Sequence, residues 1–346
     1  MKSEFENFDP NAPAQSLYSN IFGLPSTLEN SDVVIVPVPW EVTTSYRPGT
    51  ALGPELVFDA SMQVDLYDAD HPGAWKKGYY MLQVSTDIVQ LSEDWRAQAE
   101  IVMDALERGE DPEHDSGLAD ILRQVNLAST DLNNWVYGQC KRLLDSGKKV
   151  ALLGGDHSTP YGFIKALSEK HEQFAVLQID AHMDLRQAYE GFTHSHASIM
   201  YNVITDFPNV QLVQFGIRDY CDEEVAFMQS HPGRIRTFFD RDIKRTQYEG
   251  QLWKDICGEL IATLPDKVYI SFDIDGLDPK LCPNTGTPVP GGFELEEVFY
   301  LFHKLREAGK IIIGFDLNEV SGEEYGTESI DPIVGARLLY KLCGYL

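Results

Sequence analysis

The chain has 346 residues, 43% of them hydrophobic, so it is long enough to bury a large core. Its formal net charge of -26 argues against nucleic acid and anionic membranes as partners, because both are themselves negatively charged. A small cationic ligand suits such a protein, although a solvated acidic surface is the simpler explanation of most of this charge.

The five cysteines are scattered along the chain and form no Cys-x-x-Cys pair. This usage indicates a reducing compartment and argues against a thiolate metal site. The first eleven residues lack the basic and apolar regions of a secretory signal. No apolar run approaches the roughly 18 residues that a membrane span requires. We therefore expect a soluble, cytoplasmic protein.

Short apolar runs alternate along the chain with amphipathic segments of helical length. Strands that are apolar almost throughout are buried on both faces, and strands separated by helices form parallel sheets. The pattern predicts an α/β fold, a three-layer αβα sandwich with a mostly parallel sheet. The predicted strands are 32–40, 148–155, 174–180, 210–218, 267–275 and 310–317. The predicted helices lie near 127–146, 160–170, 197–206, 221–230, 250–263, 294–308 and 331–344.

The segment from about 91 to 125 is richer in charge and contains no strand pattern. We interpret it as a helical insertion with a loop at 109–117. This insertion need not contact the residues that carry out the chemistry. The chain shows no internal repeat and no low-complexity linker. The simplest division of residues 1–346 is therefore one domain.

Polar side chains follow three of the predicted strands. Ligands of α/β proteins bind beyond the carboxyl ends of parallel strands, so these positions are candidates for a site. Two glycines, Gly154 and Gly155, permit a tight turn after the second strand. If the third strand stays extended past its end, alternate side chains there converge. The six candidate ligands are His157, then Asp180, His182 and Asp184, then Asp273 and Asp275.

The charge of this cluster decides what it binds. Four carboxylates at buried strand ends would repel one another and lose hydration unless cations compensate them. Two divalent cations supply four positive charges, and a binuclear centre generates a bridging hydroxide nucleophile near neutral pH. Oxygen and imidazole ligands without sulfur favour two Mn²⁺ ions, with Ni²⁺ or Zn²⁺ possible. Capping aspartates and packed histidines would explain one such residue but not six.

Three motifs resemble the signatures of the ureohydrolase family, which includes arginases and agmatinases. They are GGDHS at 154–158, DAHMD at 180–184 and SFDIDGLDP at 271–279, and the resemblance spans about 32–335. The resemblance implies an arginase/deacetylase-like α/β fold, a binuclear manganese site and a homo-oligomer, either a trimer or a hexamer. It also implies a small guanidino compound as substrate.

The resemblance assigns a role to each matching residue. All six candidates become metal ligands, with Asp180 and Asp273 bridging the two ions, and Asp184 also counts as catalytic. His196, in a segment similar to the YEG…SHAS segment of agmatinases, becomes the proton-shuttling and substrate-contacting histidine, with His194 a less suited neighbour. Glu319 becomes the carboxylate that pairs with the substrate guanidinium. Hydroxide then attacks the guanidinium carbon, and urea and a primary amine leave.

The substrate tail is the open question. The run Asp184-Leu185-Arg186 departs from the asparagine-containing arginase segment, so agmatine, cleaved to putrescine and urea in polyamine biosynthesis, is favoured. Asp219 matches an arginase position near the substrate's amino group and is a candidate substrate ligand. Glu41 either binds a cationic tail or caps a turn. Arginine, guanidinobutyrate, guanidinopropionate and guanidine remain alternatives.

Two hypotheses from other classes compete with this interpretation. A catalytically silent homologue that acts as a binding or regulatory subunit would show broken ligands, whereas all six ligand positions are intact. A metal-dependent deacetylase shares a related fold but uses one metal and fewer carboxylates. Finding two metals per chain would argue against the deacetylase.

Overall fold

A parallel sheet forms the centre of the molecule. The computed structural model describes residues 5, 8–14, 19–112, 114–322 and 329–346. Eight strands lie within these residues: β1 (Val33–Val38), β2 (Tyr79–Met81), β3 (Lys149–Gly154), β4 (Phe174–Ile179), β5 (Val210–Ile217), β6 (Ile235–Phe239), β7 (Lys267–Asp273) and β8 (Ile311–Asn318). They pair in the order β2-β1-β3-β8-β7-β4-β5-β6, and every pairing between these strands is parallel.

Helices cover both faces of the sheet. The part of the chain that is described contains α1 (Gly53–Ser61), α2 (Thr86–Glu107), α3 (Ser116–Asp145), α4 (Tyr161–Lys170), α5 (Ile199–Asp206), α6 (Asp222–Ser230), α7 (Asp240–Tyr248), α8 (Trp253–Thr263), α9 (Leu295–Glu307) and α10 (Asp331–Tyr345). Among them, no helix has the length and apolar character needed to cross a membrane.

Side chains of the strands point alternately to the two faces and build two hydrophobic clusters. Val33 and Ile35 of β1 belong to the cluster that contains Leu260 of α8. Val34 and Val36 belong to the other cluster, which α2, α3, α4 and α5 complete. The predicted three-layer αβα architecture with a parallel sheet is confirmed, since central strands such as β1 and β4 are buried along their whole length.

The six predicted strands are present, but two edge strands and two helices escaped prediction. β2 has only three residues, too few for a periodic pattern. β6 carries Arg236 and Thr237 in its five residues, so it lacks an apolar run. Helix α7 is mostly charged and polar, with only Asp240 and Ile243 buried. Short or polar elements of this kind obtain their stability from neighbours rather than from their own sequence.

Residues 91–125 are mostly helical and lie in a hairpin of α2 and α3. That this segment is an insertion stays a prediction. The predicted helix near 127–146 is not separate from it, because α3 continues from Ser116 to Asp145 without a break. Asp115 caps the start of α3, where its side chain accepts the N–H groups of Gly117 and Leu118. The hairpin contributes no residue to the cavity described below, but it contacts two loops that do.

Candidate metal centre

Five neighbouring strands of the sheet carry the candidate residues at their carboxyl ends. In spatial order, β3 leads to His157, β8 to Glu319, β7 to Asp273, β4 to Asp180 and β5 to Asp219. These residues are far apart in the sequence, and the parallel sheet collects them at one edge. The site therefore depends on the strand order in the middle of the sheet.

The turn after β3 is shaped by the close approach of other backbone segments. A Cβ on Gly155 would lie 2.1 Å from the carbonyl oxygen of Trp40, and one on Gly154 would lie 1.9 Å from Oδ1 of Asn318. The N–H of Asp156 donates to the same Trp40 carbonyl, at 2.8 Å. Both glycines are therefore needed for space, and the turn that follows places His157 in the site.

The segment after β4 does not stay extended. The expectation that alternate side chains converge along an extended strand is therefore wrong. The strand ends at Ile179, and Asp184 adopts a left-handed backbone with φ of 54°. Asp180 and Asp184 nevertheless converge, each placing Oδ2 3.0 Å from Nδ1 of His157. His182 turns instead toward Asp275, with 3.0 Å between its Nδ1 and the carboxylate Oδ2.

The ligand atoms form two groups that share one carboxylate. His157, Asp180 and Asp273 offer three atoms that lie within 4.8 Å of one another, and Asp180, His182 and Asp275 offer a second such set. Asp180 belongs to both sets, as a bridging ligand would. Asp273 belongs only to the first set, so its predicted bridging role stays a prediction. Asp184 lies outside both sets but contacts His157.

The electrostatics of the cluster favour a bound cation. Burial, together with the charge of Asp180, raises the pKa of Asp184 to about 7. Burial and the charges of Asp275 and Asp180 raise the pKa of Asp273 well above its usual value. Two divalent ions would relieve this repulsion, and the oxygen and nitrogen donors present suit such ions. The residues therefore fit a metal centre.

The two ring nitrogens of His157 have different surroundings, as in a metal-binding histidine. Nε2 lies 2.9 Å from the hydroxyl of Ser271, which donates to Asp316 at 3.0 Å. Nδ1 faces the carboxylates and forms no well-aligned hydrogen bond with any described residue. A histidine whose outer nitrogen is fixed by a partner and whose inner nitrogen points to the site is oriented for metal ligation.

Buried glutamines support the carboxylates from within the sheet. Nε2 of Gln178 donates to Asp180 at 2.8 Å and lies 3.4 Å from Asp184. Its Oε1 accepts a hydrogen bond from Gln214 at 2.7 Å, and Gln214 in turn accepts one from Thr237 of β6. These glutamines were not among the predicted site residues, although a polar residue inside an otherwise apolar strand indicates a buried hydrogen-bonding role.

Glu319 lies at the same edge in a strained conformation. Its φ is 61°, and its Oε1 accepts the backbone N–H of His157 at 2.9 Å. Burial, followed by the charge of Asp156, raises the pKa of its carboxyl well above the usual value. Non-glycine residues with positive φ concentrate at functional sites, and Asp184 and Glu319 both fit this pattern.

A cavity of about 190 Å³ opens onto the cluster. His196 lines this cavity, and burial, followed by the charges of His182 and His157, lowers the pKa of His196 to about 4. His194 is not among the lining residues and instead packs against Tyr161 at 5.3 Å between ring centroids. The structure therefore places only the first of the two candidate histidines at the site.

Only one of the two candidate substrate ligands, Asp219 and Glu41, lies at the rim of the cavity. Asp219 is exposed and lines the cavity. Glu41 does not line it, and its Oε2 accepts the N–H groups of Gly49 at 2.7 Å and Ala51 at 3.1 Å. This is the arrangement of a turn cap, one of the two roles considered for Glu41. Other lining residues, without a clear sequence signal, are Ser45, Tyr189, Tyr220, Glu224 and Thr287.

Comparison with known proteins identifies the family of the chain. The model of the arginase family matches residues 31–344. An N(1)-aminopropylagmatine ureohydrolase from Synechocystis is 31% identical over 90% of this chain and 88% of its own length. An agmatinase from Pyrococcus horikoshii is 29% identical over 92% of this chain and 93% of its own length.

Solved structures share the fold. Agmatine ureohydrolase of Thermoplasma volcanium superposes with a TM-score of 0.67 at 20% identity, covering 100% of this chain and 97% of that one. Arginase from Bacillus cereus superposes with a TM-score of 0.64 at 20% identity, covering 91% and 98%. The chain belongs to the arginase family. It is a ureohydrolase that acts on guanidino groups, and the predicted family is confirmed.

Proposed function

We propose that this enzyme hydrolyses agmatine, or a closely related guanidino amine, to urea and a primary amine. The observation that carries the proposal is the shared cavity of about 190 Å³, in which Glu319 stands beside the candidate metal ligands. A buried carboxylate with a raised pKa is stabilised by a cation, and the planar guanidinium group can bind it through two hydrogen bonds.

Metal ions would be held by His157, Asp180, Asp184 and Asp273 on one side and by His182 and Asp275 on the other, with Asp180 between them. When bound, such ions supply positive charge and lower the pKa of water, so a hydroxide nucleophile is available near neutral pH. Manganese is the proposed metal because all donors are carboxylate oxygens and imidazole nitrogens.

Glu319 would fix the guanidinium so that its central carbon faces the metal ligands. As hydroxide adds to that carbon, one nitrogen becomes an amine that must take up a proton before it leaves. His196 lines the cavity and, with its lowered pKa, is neutral at pH 7. We assign it the transfer of a proton between bulk water and the leaving amine.

The charges at the rim favour a cationic tail over a carboxylate. The four aspartates would balance two divalent ions, and Glu319 would balance the guanidinium of the substrate. The charged cavity residues that remain are then Asp219, Glu224 and Arg186. Arg186 lies 4.0 Å from Glu224 and 5.1 Å from the ring of Tyr189, so its charge has a nearby partner. Asp219 is then left to attract an ammonium group.

Arg186 also supplies the one observation that favours a second candidate. A guanidinium in the cavity can bind a carboxylate, so a guanidino acid such as guanidinobutyrate is the alternative substrate. The two candidates differ in the sign of the tail charge, which a substrate series can separate.

A urea-release screen tests the proposal. Purified protein is loaded with Mn²⁺ or Ni²⁺ and supplied with agmatine, aminopropylagmatine, arginine, guanidinobutyrate, guanidinopropionate and guanidine. Cationic guanidino amines are expected to give the highest kcat/KM. A higher value for arginine or guanidinobutyrate would reject the assignment of the tail.

Replacement of Glu319 by glutamine tests the binding of the guanidinium. Glu319→Gln keeps the shape of the side chain but removes its charge, so kcat/KM is expected to fall by about 100-fold or more. Calorimetric titration with Mn²⁺ is expected to show near-normal metal binding. Full activity in this variant would contradict the role of Glu319.

Three further assignments concern assembly, location and pathway. We infer a homo-oligomer, a trimer or a hexamer, from the family resemblance. A cytoplasmic location agrees with five cysteines that form no disulfide. A role in polyamine biosynthesis follows only if agmatine is the substrate, because its hydrolysis yields putrescine.

A further inference from the structure

The α2–α3 hairpin contacts two loops at the mouth of the cavity. We name residues 41–51 the entrance loop and residues 189–196 the histidine loop. Ser45 of the entrance loop lines the cavity, as do Tyr189 and His196 of the histidine loop. Neither loop is held by the ladder hydrogen bonds of the central sheet, so their positions depend on side-chain contacts.

Helix α2 holds the entrance loop through Arg96 and Ser92. Nη1 of Arg96 donates to the carbonyl of Glu41 at 3.3 Å and to the carbonyl of Thr44. The hydroxyl of Ser92 accepts the N–H of Glu41 at 3.2 Å. Glu100 fixes the other side of the guanidinium, 2.9 Å from Nε, and the Arg96 side chain is only 14% exposed. Hydrogen bonds from a charged guanidinium to carbonyl oxygens are stronger than those from a neutral donor.

Helix α3 holds the histidine loop through a single amide. Nδ2 of Asn126 donates to the carbonyl of Gly191 at 3.1 Å, and its Oδ1 accepts the N–H of Thr193 at 2.9 Å. Leu122 packs where a side chain on Gly191 would lie, 2.7 Å from an added Cβ. Gly191 has a φ of 84°, so glycine is required there for two reasons.

The two loops meet at His196. Nδ1 of His196 lies 3.3 Å from the hydroxyl of Ser195. Ser45, which follows the Thr44 carbonyl that Arg96 binds, lines the same cavity as His196. The ring also contacts Tyr189 edge-on, at 5.9 Å between centroids. His196 begins the short helical turn that leads into α5, and Asn202 of α5 donates to the Thr193 carbonyl at 2.9 Å. Helices α2 and α3 hold the two loops from the opposite side of the cavity mouth.

We propose that the α2–α3 hairpin is a positioning element for His196, with Arg96 and Asn126 as its positioning residues. The proposal rests on the proposed function, in which His196 moves a proton. A small displacement of such a group strongly reduces the rate, whereas substrate binding at Glu319 and metal binding are unaffected. The hairpin thereby has a role in the chemistry without contributing a residue to the cavity.

Arg96→Ala and Asn126→Ala test the proposal, with Arg123→Ala and Asn134→Ala as matched controls on exposed parts of α3. For each protein, hydrogen exchange of residues 41–51 and 189–196 is measured together with kcat, KM and Mn²⁺ affinity. Arg96→Ala is expected to speed exchange in the entrance loop, and Asn126→Ala in the histidine loop. In both, kcat is expected to fall by about 10- to 100-fold while KM and Mn²⁺ affinity change less than about threefold.

Conservative variants protect the test against loss of folding. Arg96→Lys keeps the charge but reaches fewer carbonyls, and Asn126→Asp keeps the acceptor but loses the donor, so each is expected to give intermediate exchange and kcat. Unchanged exchange and kcat in Arg96→Ala and Asn126→Ala, relative to the controls, would overturn the proposal. A large loss of Mn²⁺ affinity would also overturn it.

Failure of the proposed function has a different signature. If the wild-type enzyme releases urea from none of the guanidino compounds, the assignment of the reaction fails. Hydrogen exchange still reports whether the hairpin holds the two loops, because that measurement requires no substrate.

Discussion

Single polar side chains inside apolar strands support the candidate metal centre. Gln178 and Gln214 are fully buried, and the amide of Gln178 donates directly to a candidate bridging carboxylate, Asp180. An amide donor of this kind fixes which carboxylate oxygen faces the metal, so the outer residue affects affinity without binding the ion.

Gln178→Leu is expected to weaken Mn²⁺ binding by about 10- to 100-fold, because Asp180 and Asp184 lose a buried donor. Calorimetric titration measures the affinity, and circular dichroism establishes that the fold is retained. Gln173→Leu, at an exposed position just before β4, is the control and is expected to bind Mn²⁺ normally. Equal affinities in the two variants would contradict the supporting role of Gln178.

The sequence predicted which residues form the cluster, but it did not predict the backbone geometry that brings them together. Asp180, His182 and Asp184 were expected to converge along an extended strand, whereas the backbone turns at Asp184 into the left-handed region. Alternation along a strand is a local rule, and it cannot anticipate a turn stabilised by distant contacts. One such contact is the hydrogen bond from the Leu185 N–H to Glu224 on α6, at 3.1 Å.

At the scale of elements, the turn between β3 and α4 depends on close backbone packing. Gly155 sits against Trp40 at the end of β1, so the turn can form only when the two strand ends approach closely. Gly138 in the middle of α3 is the opposite case, since an added Cβ there meets no described atom within 4 Å.

Gly155→Ala is expected to destabilise the protein by about 1–3 kcal/mol and to reduce activity, because the Trp40 segment must move. Gly138→Ala, as the comparison, is expected to stabilise it by about 0.5–1 kcal/mol, since alanine favours the helix and fits there. Urea unfolding of both variants measures the change in free energy. If both substitutions destabilised the protein equally, the special sensitivity of the Gly155 turn would be contradicted.

The central strands could be predicted because burial on both faces leaves a nearly unbroken apolar run. The edge strand β6 could not, since its residues Arg236 and Thr237 are partly solvated, and neither could the charged helix α7. The contacts of the hairpin also lay beyond sequence reasoning. Arg96 and Asn126 look like ordinary helix-surface residues until the loops they bind are in place.

At the scale of the whole molecule, a buried histidine joins the loop after α1 to α9 and α10. Nδ1 of His71 lies 2.7 Å from the guanidinium of Arg306, and its ring packs edge-on against Tyr345. Burial lowers the pKa of His71 to about 4, and Arg306 adds to this effect while Asp68 opposes it. His71 is therefore neutral in the folded protein at pH values where an exposed histidine is charged.

This shift predicts a specific loss of stability in acid. In the unfolded chain His71 binds a proton below about pH 6.5, whereas in the folded protein it does so only near pH 4. The contribution of His71 to the free energy of unfolding is therefore complete above pH 6.5 and declines as the pH falls from 6.5 to 4. His71→Gln is expected to reduce the decline between pH 7 and pH 5 by on the order of 1 kcal/mol, as measured by urea unfolding. His114→Gln, an exposed control, is expected to leave the decline unchanged.

The position of β8 has a consequence for how the chain folds during synthesis. β8 pairs with both β3 and β7, although it is the last strand of the sheet to be made. Until it emerges, the partial sheets β2-β1-β3 and β7-β4-β5-β6 each present an open inner edge, which is a site for incorrect pairing between chains. Insertion of β8 closes both edges at once and brings Glu319 between His157 and Asp273. Assembly of the candidate site and closure of both inner edges therefore depend on the same strand.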